Sequence, residues 1–196
     1  MSSADTGPAP GQEQPQRPRR ADAQRNYERL LATAREVFSE RGVDAPLDDI
    51  ARRAGIGNAT MYRHFPTRRE LIIAVYADEV AELCAQGEAL LEDESPGDAL
   101  FGWLRAFIAH VAAKRELALA IPNDQGGHRS ALFDRWHKAM HTTASTLLTH
   151  AQSCSAVDAD LDVSDLLTLA NGIAVASVDT DQAERCLGLL RRGIAP

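Results

Sequence analysis

Residues 47–65, LDDIARRAGIGNATMYRHF, decide the fold. Leu47, Ile50, Ala51 and Ala54 recur at helical spacing, and Asp48 and Asp49 fall in the first turn, where acidic side chains meet the positive end of a helix dipole. Gly55 stands where this short helix must stop and the chain must turn, since a residue without Cβ takes the left-handed conformation at little cost. Ile56 plugs the turn. A second helix starts at Asn58, with Met61 and Phe65 four apart and inward, and with Asn58, Ala59, Tyr62 and Arg63 outward. Two short helices, a glycine-bearing turn and an immediate Pro66 are the layout of a helix-turn-helix, whose second helix enters the DNA major groove.

The outward face has suitable chemistry. Ala59 is small enough to let the backbone approach base edges, where Asn58 can pair with adenine and Arg63 with guanine. Thr60, Tyr62, His64 and Arg68 can reach phosphate oxygens, which fix register without reading sequence.

Upstream, Tyr27, Leu30, Leu31, Ala34, Val37 and Phe38 form one apolar stripe, predicting a bracing helix from about Gln24 to Arg41 that Gly42 ends. Residues 1–22 are rich in Pro, Gly, Gln, Ser and Arg and are expected to form a disordered basic arm. Its Arg19 and Arg20 precede the first helix, placed as a minor-groove arm would be. Downstream, Thr67 can cap a long helix that carries Leu71, Ile72, Val75 and Val80 toward Leu91. The domain plan is therefore an arm (1–22), a helix-turn-helix domain (23–68) and a second helical domain (69–196).

From Arg25 to about Val80 the chain resembles the DNA-binding domain of the tetracycline-repressor (TetR/AcrR) family, most closely in DDIARRAGIGNATMYRHFPTRREL. The run Thr60, Met61, Tyr62, His64, Phe65, Arg68, Arg69, Glu70 and Leu71 carries the likeness. Two positions depart from the family pattern: Gly57 replaces a capping Ser and Pro46 a capping Thr, so no phosphate contact from a cap hydroxyl is expected at Gly57. The resemblance implies an all-α protein with an N-terminal three-helix head and a C-terminal ligand-binding and dimerisation bundle. It also implies a cytoplasmic homodimeric repressor that binds a palindromic double-stranded operator and is released by a small-molecule effector. The alternative is an activator or ligand-independent regulator whose C-terminal half serves dimerisation or a protein partner.

Composition fits. The chain has 196 residues, 44% hydrophobic content and a net charge of -7. Charge is unevenly spread: residues 15–70 hold 12 Arg against 8 acidic residues, whereas residues 71–196 hold 9 basic against 18 acidic. The basic excess sits at the DNA end. Cys84, Cys154 and Cys186 lack CxxC spacing, no signal-peptide pattern opens the chain, and no run reaches the roughly 20 apolar residues of a membrane span. HExxH, P-loop and GxSxG elements are absent, so no catalytic residue, cofactor or metal is expected. His137 and His141 lie four apart, and His110, His128 and His150 offer further imidazoles, but they read as surface or pocket histidines.

Beyond Pro96 the helical period returns in 99–113, 116–121, 130–153, 163–178 and 180–192, with loops at 122–127 and 155–162. Trp103, Phe107, His110, Trp136, Met140 and Asn171 are the expected ligand-pocket lining, an apolar wall with a few polar handles. Leu166, Leu167, Leu169, Ala170, Ile173, Leu187, Leu189 and Leu190 are the expected pairing surface of the last two helices.

Overall fold

The computed structural model describes the backbone of residues 18–92, 95–119 and 128–194, and the side chains of these except 18–20, 114–119 and 128–130. Among the described residues there are eight helices and no strand: α1 Pro18–Arg41, α2 Leu47–Arg53, α3 Asn58–His64, α4 Arg68–Leu90, α5 Pro96–Leu119, α6 His128–Ser153, α7 Val163–Ala176 and α8 Thr180–Gly193. The expected all-α class holds.

Helices α1 to α3 make the head. Leu30, Ala34, Ile50, Ala51 and Met61 are fully buried there, and burying each large side chain contributes about 1.5–3 kcal/mol. Gly42 and Gly55 adopt φ of +78° and +64°, which ends α1 and turns the chain between α2 and α3 as their positions required. Arg29 of α1 donates to the Ala54 carbonyl at that turn and ties it to the bracing helix. Thr67 caps α4 in a reciprocal box: its hydroxyl accepts from the Glu70 amide, and the Glu70 carboxylate accepts from the Thr67 amide.

Three boundaries correct the sequence-based expectations. Helix α1 already includes Pro18, ahead of the expected start near Gln24, so residues 18–22 are helical. Proline is tolerated in the first turn of a helix, and Arg, Ala and Gln follow as good helix formers. Residues 1–17 lie outside the described residues. Helix α5 runs unbroken through 113–116, where two segments were expected; Ala112–Ala113–Lys114–Arg115–Glu116 contains neither Gly nor Pro, and a gap in the apolar pattern does not stop a helix. Helix α7 ends at Ala176, two residues early, because extended Ser177 leads into Asp179, whose side chain accepts from the Gln182 amide and caps α8. The expected loop at 122–127 lies outside the described residues.

Helix α4 packs on α1 at one end and on α5 and α6 along its length, so it joins the head to the bundle. Its crossing with α5 and α6 is close: a Cβ built on Gly87 would stand 2.2 Å from Thr143 Cγ2 and 2.9 Å from Trp103 Cδ1. Trp103 is fully buried at this point and donates its indole N–H to the Leu83 carbonyl at 3.0 Å. At the head end, Arg35 of α1 reaches Asp78 at 2.5 Å, Glu82 at 2.7 Å and the buried Glu79 at 3.5 Å, three carboxylates on one stretch of α4.

The expected pairing surface is divided by the packing. Leu166, Ala170 and Leu187 are consumed by the chain's own core. Leu169, Val175, Val178 and Leu189 are instead the large apolar residues left exposed on α7, α8 and their connection. No described helix is long and apolar enough to cross a membrane.

Candidate nucleic-acid interface

Helix α3 is held from beneath by Met61, fully buried, and by Phe65 at its C-terminal cap. Because these two occupy one side of a seven-residue helix, Asn58, Ala59, Tyr62 and Arg63 stand on the other, all exposed. Gly57 at the N-cap is extended and makes no side-chain cap bond, and neither does Pro46 at α2, as their residue types dictated.

The charges around this face are not equal. Arg52 pairs with Asp49 at 2.5 Å, and Arg53 pairs with Glu40 at 2.5 Å and Glu36 at 3.1 Å, so these guanidiniums are neutralised within the head. The Arg53 hydrogen bond holds the Glu40 carboxyl below the usual carboxylate range. Arg63 donates to the Thr60 hydroxyl at 3.3 Å and has no carboxylate partner among the described residues. An exposed, uncompensated cation beside Asn58 and Ala59 suits base edges and phosphates alike.

The other expected contact residues are placed less uniformly. Tyr62 is 44% exposed and donates its hydroxyl to Asp48 Oδ1 at 3.1 Å. That hydrogen bond, with some burial and the Asp48 charge, raises its phenol above the ordinary value. His64 turns toward α1: its ring centroid is 6.0 Å from that of Tyr27, and its Nε2 is buried without a hydrogen-bond partner. Arg68 is also drawn inward, donating to the Val43 and Ala45 carbonyls at 2.7 and 2.6 Å. Arg68 thus fastens the loop before α2 to the start of α4. The side chains of Arg19 and Arg20 lie outside the described residues; their backbone forms the first turn of α1.

In the C-terminal bundle, five of the six expected pocket residues converge between α4, α5 and α6. Trp103 and Phe107 stack with centroids 5.5 Å apart. His110 and Trp136 meet at Tyr76 of α4, at 5.5 and 4.6 Å, and Met140 is buried one turn beyond Trp136. Sequence reasoning missed Tyr76 and Phe133, which complete the aromatic cluster at 6.0 Å from each other. The signal for Tyr76 was available, since it lies four residues after inward-facing Ile72 on a helix already predicted. Asn171 is exposed on α7 and does not join the group. A cavity of about 430 Å³ opens elsewhere, between α5, the end of α7 and the start of α8, lined by Ile108, Ala174, Val178, Ala183, Leu187 and the Arg105–Glu184 pair. Among the described residues no group of three His, Cys, Asp or Glu side chains is placed to hold a metal ion.

Residues 30–75 match the family described as bacterial regulatory proteins, tetR family, and residues 95–196 match the transcriptional regulator SbtR-like C-terminal domain. Two solved structures align over nearly their whole length. The TetR transcriptional regulator SCO0520 from Streptomyces coelicolor is 35% identical, with a TM-score of 0.73 over 87% of this chain and 98% of that one. The TetR transcription regulatory protein from Mycobacterium vanbaalenii is 35% identical, with a TM-score of 0.74 over 91% of this chain and 100% of that one. A curated relative, the HTH-type transcriptional activator FasR of Mycolicibacterium smegmatis, is 44% identical over 55 residues, 28% of this chain and 25% of its own length. The likeness to the first curated relatives is confined to such a segment, spanning 27% and 43% of their lengths.

Proposed function

We propose that this chain, which belongs to the TetR family of bacterial transcriptional regulators, is a homodimeric repressor that leaves a palindromic operator when a small molecule occupies its C-terminal domain. The observation that carries the reading is the outer face of α3, where Asn58, Ala59 and the uncompensated Arg63 stand exposed together. Asn58 and Arg63 would read bases; Thr60 and Tyr62 would meet phosphates, with Arg19 and Arg20 beside them at the start of α1. His64 and Arg68 would support the helix rather than touch the duplex. No catalytic step or cofactor enters, and the cytoplasm is where such a protein meets the chromosome.

The exposed Leu169 and Val175 on α7 and Leu189 on α8 support dimerisation, as apolar side chains that a second copy would cover with the same set. Two heads must then place their α3 helices about 34–36 Å apart, or a small multiple of that, to enter successive major grooves. Helix α4 gives the effector its lever. Tyr76 joins it to the aromatic cluster, and Glu79, one turn on, lies against Arg35 of the head. A ligand among Trp103, Phe107, His110, Trp136 and Met140 that displaced Tyr76 would shift the head, but only if it bound one spacing better than the other. Such coupling is typically 1–3 kcal/mol, roughly 5- to 150-fold in DNA affinity.

Selection of bound fragments from the host genome, followed by footprinting with and without candidate apolar effectors, tests this. A symmetric footprint that one effector abolishes supports the reading. A footprint that no effector changes favours the second reading, an activator or ligand-independent regulator, to which the likeness of this head to a relative named as an activator lends support.

A further inference from the structure

A hydrogen bond between Tyr62 and Asp48 joins the outer face of α3 to the first turn of α2, and it has a consequence for how tightly any duplex can be held. A phenol has one proton to donate. While Tyr62 gives it to Asp48 Oδ1 at 3.1 Å, the oxygen facing solvent presents only lone pairs, which a phosphate oxygen does not accept. The carboxylate adds its own charge. Its neighbour Asp49 is neutralised by Arg52 at 2.5 Å and Arg41 at 3.4 Å, whereas Asp48 has no cationic partner among the described residues. Arg68, the cation whose charge acts on Tyr62, is committed to the Val43 and Ala45 carbonyls. An incoming phosphate at Tyr62 therefore meets an occupied donor and an unneutralised anion.

We infer that Asp48 is a positioning residue that competes with the DNA backbone for the Tyr62 hydroxyl and so limits the affinity of the head for every sequence alike. This rests on the proposal that α3 enters DNA, and it adds a built-in brake to that interface. Asp48 touches no base in this account, so it sets how firmly the head is held and leaves untouched which sequence it prefers. A hydroxyl freed from it gains one phosphate contact.

The test needs no operator, because phosphate contacts are the same on any sequence. Binding of the full chain to an arbitrary duplex of about 30 base pairs is measured by fluorescence anisotropy across a salt series. Asp48→Ala should bind about three- to tenfold tighter, the worth of one added net hydrogen bond, and loss of the carboxylate charge should steepen its log–log salt slope by up to about 0.9. Combined with Tyr62→Phe, the same change should gain about twofold or less, from the charge alone. Asp48→Asn, which keeps an acceptor and drops the charge, should fall between these and covers the case in which the alanine variant folds poorly. Affinity unchanged by both Asp48 variants overturns the inference and leaves the proposed function standing. Equal gains with and without the Tyr62 hydroxyl also overturn it, since Asp48 would then act only as a charge. Failure of every chain, the unaltered one included, to bind duplex overturns the inference and the proposed function together.

Discussion

Gly87→Ala sets the structure against helix propensity. Alanine in a helix interior is worth roughly 0.8–1.0 kcal/mol over glycine, so position 87, in the body of α4, would be expected to gain from the change. The packing says otherwise. The added methyl would lie 2.2 Å from Thr143 Cγ2 and 2.9 Å from Trp103 Cδ1, and Trp103 is pinned by its own bond to Leu83. Overpacking of a tight core costs about 1–3 kcal/mol, and so severe an overlap belongs at the upper end. The net is a loss of about 1–2 kcal/mol, or about 2–8 °C in Tm for a chain of this size. Thermal and urea unfolding would measure it. Thr143→Ser removes the clashing Cγ2 while retaining the hydroxyl that donates to the Ala139 carbonyl, so Gly87→Ala/Thr143→Ser should recover much of the loss. A rise in Tm for Gly87→Ala alone would refute the reasoning, because it would mean that α4, α5 and α6 are not in the close contact described.

Other outcomes follow from the head. Asn58→Ala and Arg63→Ala should each relax sequence preference, losing about 1–3 kcal/mol of discrimination, whereas Tyr62→Ala, whose hydroxyl is held by Asp48, should change affinity less and for all sequences alike; quantitative footprinting of the selected fragment separates the two behaviours. Arg68→Ala should lower stability by about 1–3 kcal/mol, since the Val43 and Ala45 carbonyls lose their donor, while Arg63→Ala should leave Tm nearly unchanged. Glu40 is held below its ordinary range by Arg53, so the stabilisation from that pair is complete above the unfolded carboxylate value and is lost as pH falls through the lowered folded value. In Arg53→Ala the Glu40 titration, followed by NMR, should move upward; an unmoved titration would show that the pair does not persist in solution.

The head was legible because its rules are local. Gly55 could be read as a left-handed turn, Met61 and Phe65 as an inward pair, and Thr67 with Glu70 as a cap, from residues no more than four apart. The placement of Arg68 and His64 was less legible for the same reason. Their types and places suit a phosphate, but whether a side chain turns outward depends on partners far along the chain: the Val43 and Ala45 carbonyls for one, Tyr27 for the other. The bundle was legible as helices and less so as surfaces. Leu166, Ala170 and Leu187 share a helical stripe with residues that stay exposed, and only the packing of α5 on α7 and α8 decides which of them a second copy could meet. Asn171 fell outside the aromatic group because a helix face cannot be assigned to one of two neighbours from periodicity alone.

The central claim is that α3 enters duplex DNA twice per assembly. Hydroxyl-radical footprinting of a genome-selected fragment, with the chain-to-duplex ratio of the same complex measured by native mass spectrometry, tests it most directly. The account predicts two chains, or a multiple of two, and two equivalent protected half-sites centred about 10 base pairs apart or a small multiple of that. One chain bound to a single unpaired site would contradict it.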